Sequence, residues 1–260
     1  MLKGENLMNK LFPSMLSKPE PRQIIALVPC WMYVFVLVPL YMPFLASGLW
    51  EQWESSVWFD IIYHAINGLI VLFLLRNYLK DEWFMVSTDA GTYLKHAALT
   101  AGLILGAEIV LIGVVYLSGW DVWYMLNALP VAEMAVAHTP LSLIYYEPVV
   151  GAIVLTILVP ICLSGLYYCL CFAPICYRRP WLAYLSIPVI TFLPALVDIL
   201  YRREQTELAL GAYLVALPIH LLACWSYQKT DNAWTPIFTL ALVNLVLSII
   251  FPFAVLPFTV

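Results

Sequence analysis

Runs of about twenty apolar residues, parted by short charged or turn-forming stretches, fill the chain from Ile24 onward. A helix needs roughly 20 mainly apolar residues to cross the hydrocarbon core of a bilayer. Only 11% of the 260 residues are charged and 63% are hydrophobic, where an average soluble domain carries about 25% charged residues. That composition excludes a soluble globular fold and excludes disorder. The runs are continuous rather than alternating, which argues against a closed β-barrel. The fold class expected is therefore all-α, a polytopic transmembrane helical bundle.

Seven spans are expected, at about Ile24–Ala46, Val57–Asn77, His96–Leu117, Val149–Cys171, Trp181–Leu200, Leu208–Tyr227 and Trp234–Phe253. The first holds Pro29, Pro39 and Pro43 and is expected to bend or break near its end. Between the third and fourth lies Trp120–Pro148, where Asn127–Ala137 is read as one possible short or re-entrant helix; Pro130, Glu133, His138 and Pro140 oppose a full span. Three regions follow: a basic N-terminal segment at 1–22, the N-terminal helices and outer loop at 23–148, and a C-terminal helical core at 149–260. Met8–Ser17 has the pattern of a short surface helix. The apolar stretch before Ser47 is too long for the core of a cleavable signal peptide.

Charge placement orients the spans, because cytoplasmic loops carry the excess of Lys and Arg. With the N-terminus inside and seven alternating spans, the inner side collects Lys3, Lys10, Lys18, Arg22, Arg76, Lys80, Lys95, Arg178, Arg179 and Lys229. The outer side collects only Arg202 and Arg203. The 12 Lys and Arg residues are spread too widely to make a nucleic-acid-binding face. The lipid bilayer is the first partner expected.

Polar groups at mid-helix are costly, a charged one about 2.5–3.5 kcal/mol on insertion scales, so each is a candidate for function. Glu108 lies at the centre of the third span, His220 in the sixth and Asn244 in the seventh. Asp60, His64 and Asn67 share one face of the second, and Asp198 lies near the outer end of the fifth. Such groups form a substrate or metal site, or they make hydrogen bonds between helices; the spacing leaves both readings open. Four of the six cysteines fall at 162, 169, 171 and 176, with Cys30 and Cys224 apart. No Cys-x-x-Cys, His-Glu-x-x-His, Gly-x-Ser-x-Gly or phosphate loop occurs, and the thiols read as packing residues.

One stretch resembles a known family. After an apolar helix come Tyr227, Thr230, Trp234, Pro236 and Ile237, then Leu240-x-x-x-Asn244. This resembles the Tyr-x-x-Thr-Gly-x-x-Trp-x-Pro-Ile-like turn and following His-x-x-x-Asn of the CAAX-protease and bacteriocin-processing (CPBP) intramembrane metalloproteases. Val159-Pro160-Ile161 resembles the start of that family's Glu-Glu-x-x-x-Arg helix, and Phe192-x-x-x-Leu196 its Phe-x-x-x-His motif. The resemblance covers residues 149–250, roughly 100 of the 260. It implies a bacterial cytoplasmic membrane and an intramembrane cavity.

The departures fall on the positions where the family carries its metal site. The Glu pair maps to Leu163 and Ser164, the Arg to Tyr168, and the two His to Leu196 and Leu240; Asn244 alone is kept. Residues 149–197 contain no Glu, Asp or His, so no shift of register restores a carboxylate. The expectation is a catalytically silent member that binds or scaffolds a membrane-protein or lipidated-peptide partner, with no cofactor. Asn244, Glu108, His220, Tyr168 and Ser164 are the residues expected around its cavity. Two alternatives stand beside it. One is an active metalloprotease that holds zinc through relocated ligands drawn from Glu108, Glu133, His138, Asp198 and His220. The other is a transporter component, which needs a polar path across the membrane.

Overall fold

The computed structural model describes residues 65–66, 68–118, 148–176, 179–201 and 206–255. The expected first span, residues 57–64 and 67 of the second, the Met8–Ser17 segment, Trp120–Pro148 up to its last residue, the Asp60–His64–Asn67 face, Glu133, His138 and the side chain of Asp198 lie outside them. Among the described residues every regular element is helical and there is no strand.

Helix α1 covers residues 68–74 and passes through a turn at Leu75 into α2, Arg76–Thr88. The Leu75 N–H donates to the Val71 carbonyl and the Leu79 N–H to that of Leu75, so helical bonding runs through the join. The stretch 78–95 connects two of the spans expected from the sequence. The structure makes it α2 because Tyr78, Leu79, Glu82 and Val86 fall on one face and are buried together. Helix α3, Ala90–Leu117, starts directly afterwards, its first turn capped by the Asp89 carboxylate accepting from the Thr92 N–H at 3.3 Å.

Helix α4 runs from Pro148 to Cys176 with two π segments, Val154–Leu158 and Ser164–Phe172, between α turns. Proline lacks an N–H and its ring crowds the carbonyl four residues back. The first π segment lies immediately ahead of Pro160, where a wider turn relieves that conflict. Helices α5 (Pro180–Tyr201), α6 (Thr206–Thr230) and α7 (Trp234–Val255) complete the described chain.

Helix α4 is the centre of the packing. Helices α5, α6 and α7 lie against it, while α3 packs on α6 and α7. Helix α1 closes in through small residues: a Cβ at Gly68 would touch the Leu158 side chain, and one at Gly165 would collide with Val71. Val159, Tyr167, Tyr168, Cys169 and Phe172 of α4 are all buried. Helices α3 and α4 each contain a stretch long and apolar enough to cross a membrane, Ala90–Val114 and Thr156–Cys176, and shorter apolar stretches lie at Pro180–Phe192 and Trp234–Leu247.

Candidate functional site

The polar centre of the bundle is His220, on α6 just after Pro218 and only 1% exposed. Its Nδ1 lies 3.1 Å from the Tyr168 hydroxyl oxygen. Its ring stacks on Tyr167 with centroids 4.2 Å apart and planes 13° from parallel. Two consecutive tyrosines of α4 thus hold one imidazole, Tyr168 by hydrogen bond and Tyr167 by its face. Both tyrosines sit within the second π segment.

The other expected residues are placed as follows. Ser164 opens the same π segment four residues before Tyr168; it is buried, and its hydroxyl has no hydrogen-bond partner among the described residues. Asn244 is buried on α7, which packs against α4. Glu108 is 3% exposed on α3, and neither carboxyl oxygen has a hydrogen-bond partner among the described residues. The structure therefore joins Tyr168 to His220 and leaves Glu108 outside that hydrogen-bonded pair. Tyr167 was not among the residues singled out from sequence.

The positions onto which the expected resemblance maps a metal site offer no metal ligands. Leu163 and Leu240 are buried aliphatic side chains, and Leu196 is exposed. None of them offers a lone pair, and Ser164 alone is too poor a donor set. Among the described residues, no three of His, Cys, Asp and Glu gather closely enough to hold a metal ion. Cys162, Cys169 and Cys224 are buried thiols.

A second polar assembly ties one end of the bundle together. Helix α6 is followed by Asp231, whose φ of 47° is left-handed and whose N–H donates to the Tyr227 carbonyl at 2.7 Å. The Thr230 hydroxyl donates to the Ser226 carbonyl at 2.9 Å and lies 2.9 Å from the Thr235 hydroxyl. Asn232 caps α7 by accepting from the Trp234 N–H at 2.9 Å, and its amide donates to the Glu82 carbonyl at 3.0 Å. The Trp234 indole donates to the Leu79 carbonyl at 2.8 Å. The Tyr78 and Tyr227 hydroxyls meet at 3.0 Å, and Tyr184 donates to Gln228 at 2.8 Å. Helix α2, the start of α5 and the α6–α7 turn are thereby locked to one another.

Comparisons with protein-family models, with curated proteins and with solved structures find no match to this chain.

Proposed function

We propose that this chain is a multi-pass membrane protein of about seven spans, N-terminus inside, on a CPBP-like scaffold that binds a membrane-protein or lipidated-peptide partner without cutting it. A bacterial cytoplasmic membrane is the location the resemblance implies. Support for the membrane reading comes from apolar faces that the described residues leave uncovered: Leu99, Leu103, Ile109 and Val110 on α3, and Leu185 and Val189 on α5, are all exposed. Soluble monomers rarely show contiguous apolar patches of that kind. Support for the resemblance comes from the α6–α7 turn. The family pattern carries Gly directly after the Thr, and this chain places Asp231 there in the left-handed backbone conformation that favours glycine.

The observation that carries the non-catalytic reading is the closure of the polar centre on itself. His220 is engaged at Nδ1 by Tyr168 and across its face by Tyr167, both contributed by a stretch without one carboxylate. A hydrolytic site of the family's type needs several ligands and a base to activate water. Helix α4 supplies tyrosines in their place, and these close on the imidazole in the packed interior, where they offer neither a ligand set nor a base.

The test is elemental analysis of detergent-purified protein, with Glu108→Ala and His220→Ala in parallel, followed by incubation with a farnesylated CAAX peptide in nanodiscs. The expected outcome is no stoichiometric metal, no cleavage, and saturable peptide binding. Stoichiometric zinc that disappears in either variant would overturn the proposal in favour of the relocated protease. Absence of saturable binding would remove the lipidated-peptide partner.

A further inference from the structure

The basic residues of the described helices all gather at one end of the bundle. Arg76 and Lys80 are on α2, which is tied to the α6–α7 turn through Leu79 and Glu82. Lys229 precedes that turn, and Arg179 precedes α5, whose Tyr184 reaches Gln228. Lys95 lies near the start of α3, beside α7 through the Thr239 hydroxyl and the Ala97 carbonyl. All five side chains are exposed.

Within this end one stripe has a particular composition. Phe73, Arg76, Lys80 and Phe84 are spaced by three, four and four residues, so they align on one face through the helical join at Leu75. That face is opposite the buried residues of α2. Phe73 is 66% and Phe84 70% exposed. The Arg76 guanidinium lies over the Phe73 ring at 5.1 Å from its centroid. Neither Arg76 nor Lys80 forms an ion pair among the described residues. Two like charges one turn apart repel, and two large exposed rings on either side of them gain nothing from water. An anion carried on an apolar body would satisfy both.

We propose that the Phe73–Arg76–Lys80–Phe84 stripe binds the phosphate headgroup of an anionic phospholipid, with the two cations on the phosphate and the two rings among the upper acyl carbons. The proposal rests on the membrane reading above. The stripe lies where α1 gives way to α2 at the cationic end of the bundle, which is the level at which arginine and lysine stems extend from the apolar region toward headgroups. A basic residue near an anionic leaflet contributes roughly fivefold in affinity, so losing two costs about thirtyfold.

The experiment titrates phosphatidylglycerol into the full chain held in phosphatidylcholine nanodiscs, with bound lipid counted by native mass spectrometry. Wild type is expected to retain phosphatidylglycerol over phosphatidylcholine. Arg76→Gln with Lys80→Gln is expected to weaken that retention about thirtyfold, whereas Lys95→Gln with Lys229→Gln changes it less than about twofold. Circular dichroism monitors the fold of each variant, and all four substituted side chains are exposed. Equal retention by the Arg76/Lys80 variant, or displacement of the lipid by inorganic phosphate at matched concentration, would overturn the proposal. Release of the protein from membranes by alkaline carbonate would instead overturn the membrane reading. A chain that stays inserted but ignores phosphatidylglycerol overturns only the lipid site.

Discussion

At the scale of the residue, the contact that defines the centre is Tyr168 on His220. Interhelical hydrogen bonds in membrane proteins average about 0.6 kcal/mol and reach about 1.7, and aromatic pairs add about 0.5–1.5. Tyr168→Phe is therefore expected to cost about 0.5–1.5 kcal/mol, and His220→Ala, which also empties a stacked site, about 2–4. A double-mutant cycle of Tyr168→Phe and His220→Phe, read by unfolding in detergent, should return a coupling near 1 kcal/mol; a value near zero would show that the hydrogen bond is not formed. Asp231 offers a separate test. Only residues that tolerate a positive φ suit that position, so Gly or Asn should hold stability within about 1 kcal/mol and Val should lose about 1–2. If Asp231→Val is as stable as Asp231→Gly, the left-handed turn is absent. His220 stands out in the sequence because a polar group in an apolar run is conspicuous, whereas Tyr168 enters only as the position onto which the resemblance maps an arginine. Tyr167 does not stand out: successive residues of an α-helix diverge by about 100°, so two adjacent side chains on one ring is an arrangement that periodicity does not suggest.

At the scale of the element, the central part of α4 is wound with bonds of π spacing, and close packing against α1 depends on Gly165. Small residues at helix crossings let backbones approach where no side chain could fit. Gly165→Ala is expected to lower stability by about 1–3 kcal/mol through overpacking on Val71. Adding Val71→Ala should recover most of that loss, checked by the same unfolding measurement. A double variant no better than Gly165→Ala alone would place the strain elsewhere. The helices themselves were readable from apolar runs, and the last four agree with the structure to within a few residues: Val149–Cys171 against Pro148–Cys176, and Trp234–Phe253 against Trp234–Val255. Helix α2 was missed because its apolar residues are interleaved with Arg76, Lys80, Asp81 and Glu82, which read as a charged connection. Tyr78, Leu79 and Val86 pack the segment as a helix and carry Glu82 inside with them, and burial of a carboxylate is a tertiary fact that hydropathy cannot express. The π segments leave one local sign, Pro160, and that sign gives no length.

At the scale of the whole molecule, the proposed membrane topology commits each end of the bundle to one side. The described basic residues converge on the end made by α2, the start of α3, the start of α5 and the α6–α7 turn, and the hydrogen bonds that join those elements are independent of any charge argument. The proposed alternation places Lys80, Arg179 and Lys229 on one side of a membrane; in the structure the elements that carry them are hydrogen-bonded together at one end. The same alternation puts the end of α3, at Ser118, on the opposite side. Fusions of green fluorescent protein and of alkaline phosphatase after Lys80, Ser118 and Lys229 test this directly, since the first reports from the cytoplasm and the second from outside it. Fluorescence is expected after Lys80 and Lys229, and phosphatase activity after Ser118. Fluorescence at all three would mean that α3 does not cross the membrane, and its exposed Leu99, Leu103, Ile109 and Val110 would then need a protein partner rather than lipid to cover them. Phosphatase activity after Lys80 and Lys229 with fluorescence after Ser118 would keep the bundle and invert it, which would move the Phe73–Arg76–Lys80–Phe84 stripe to the outer leaflet and change the lipid available to it.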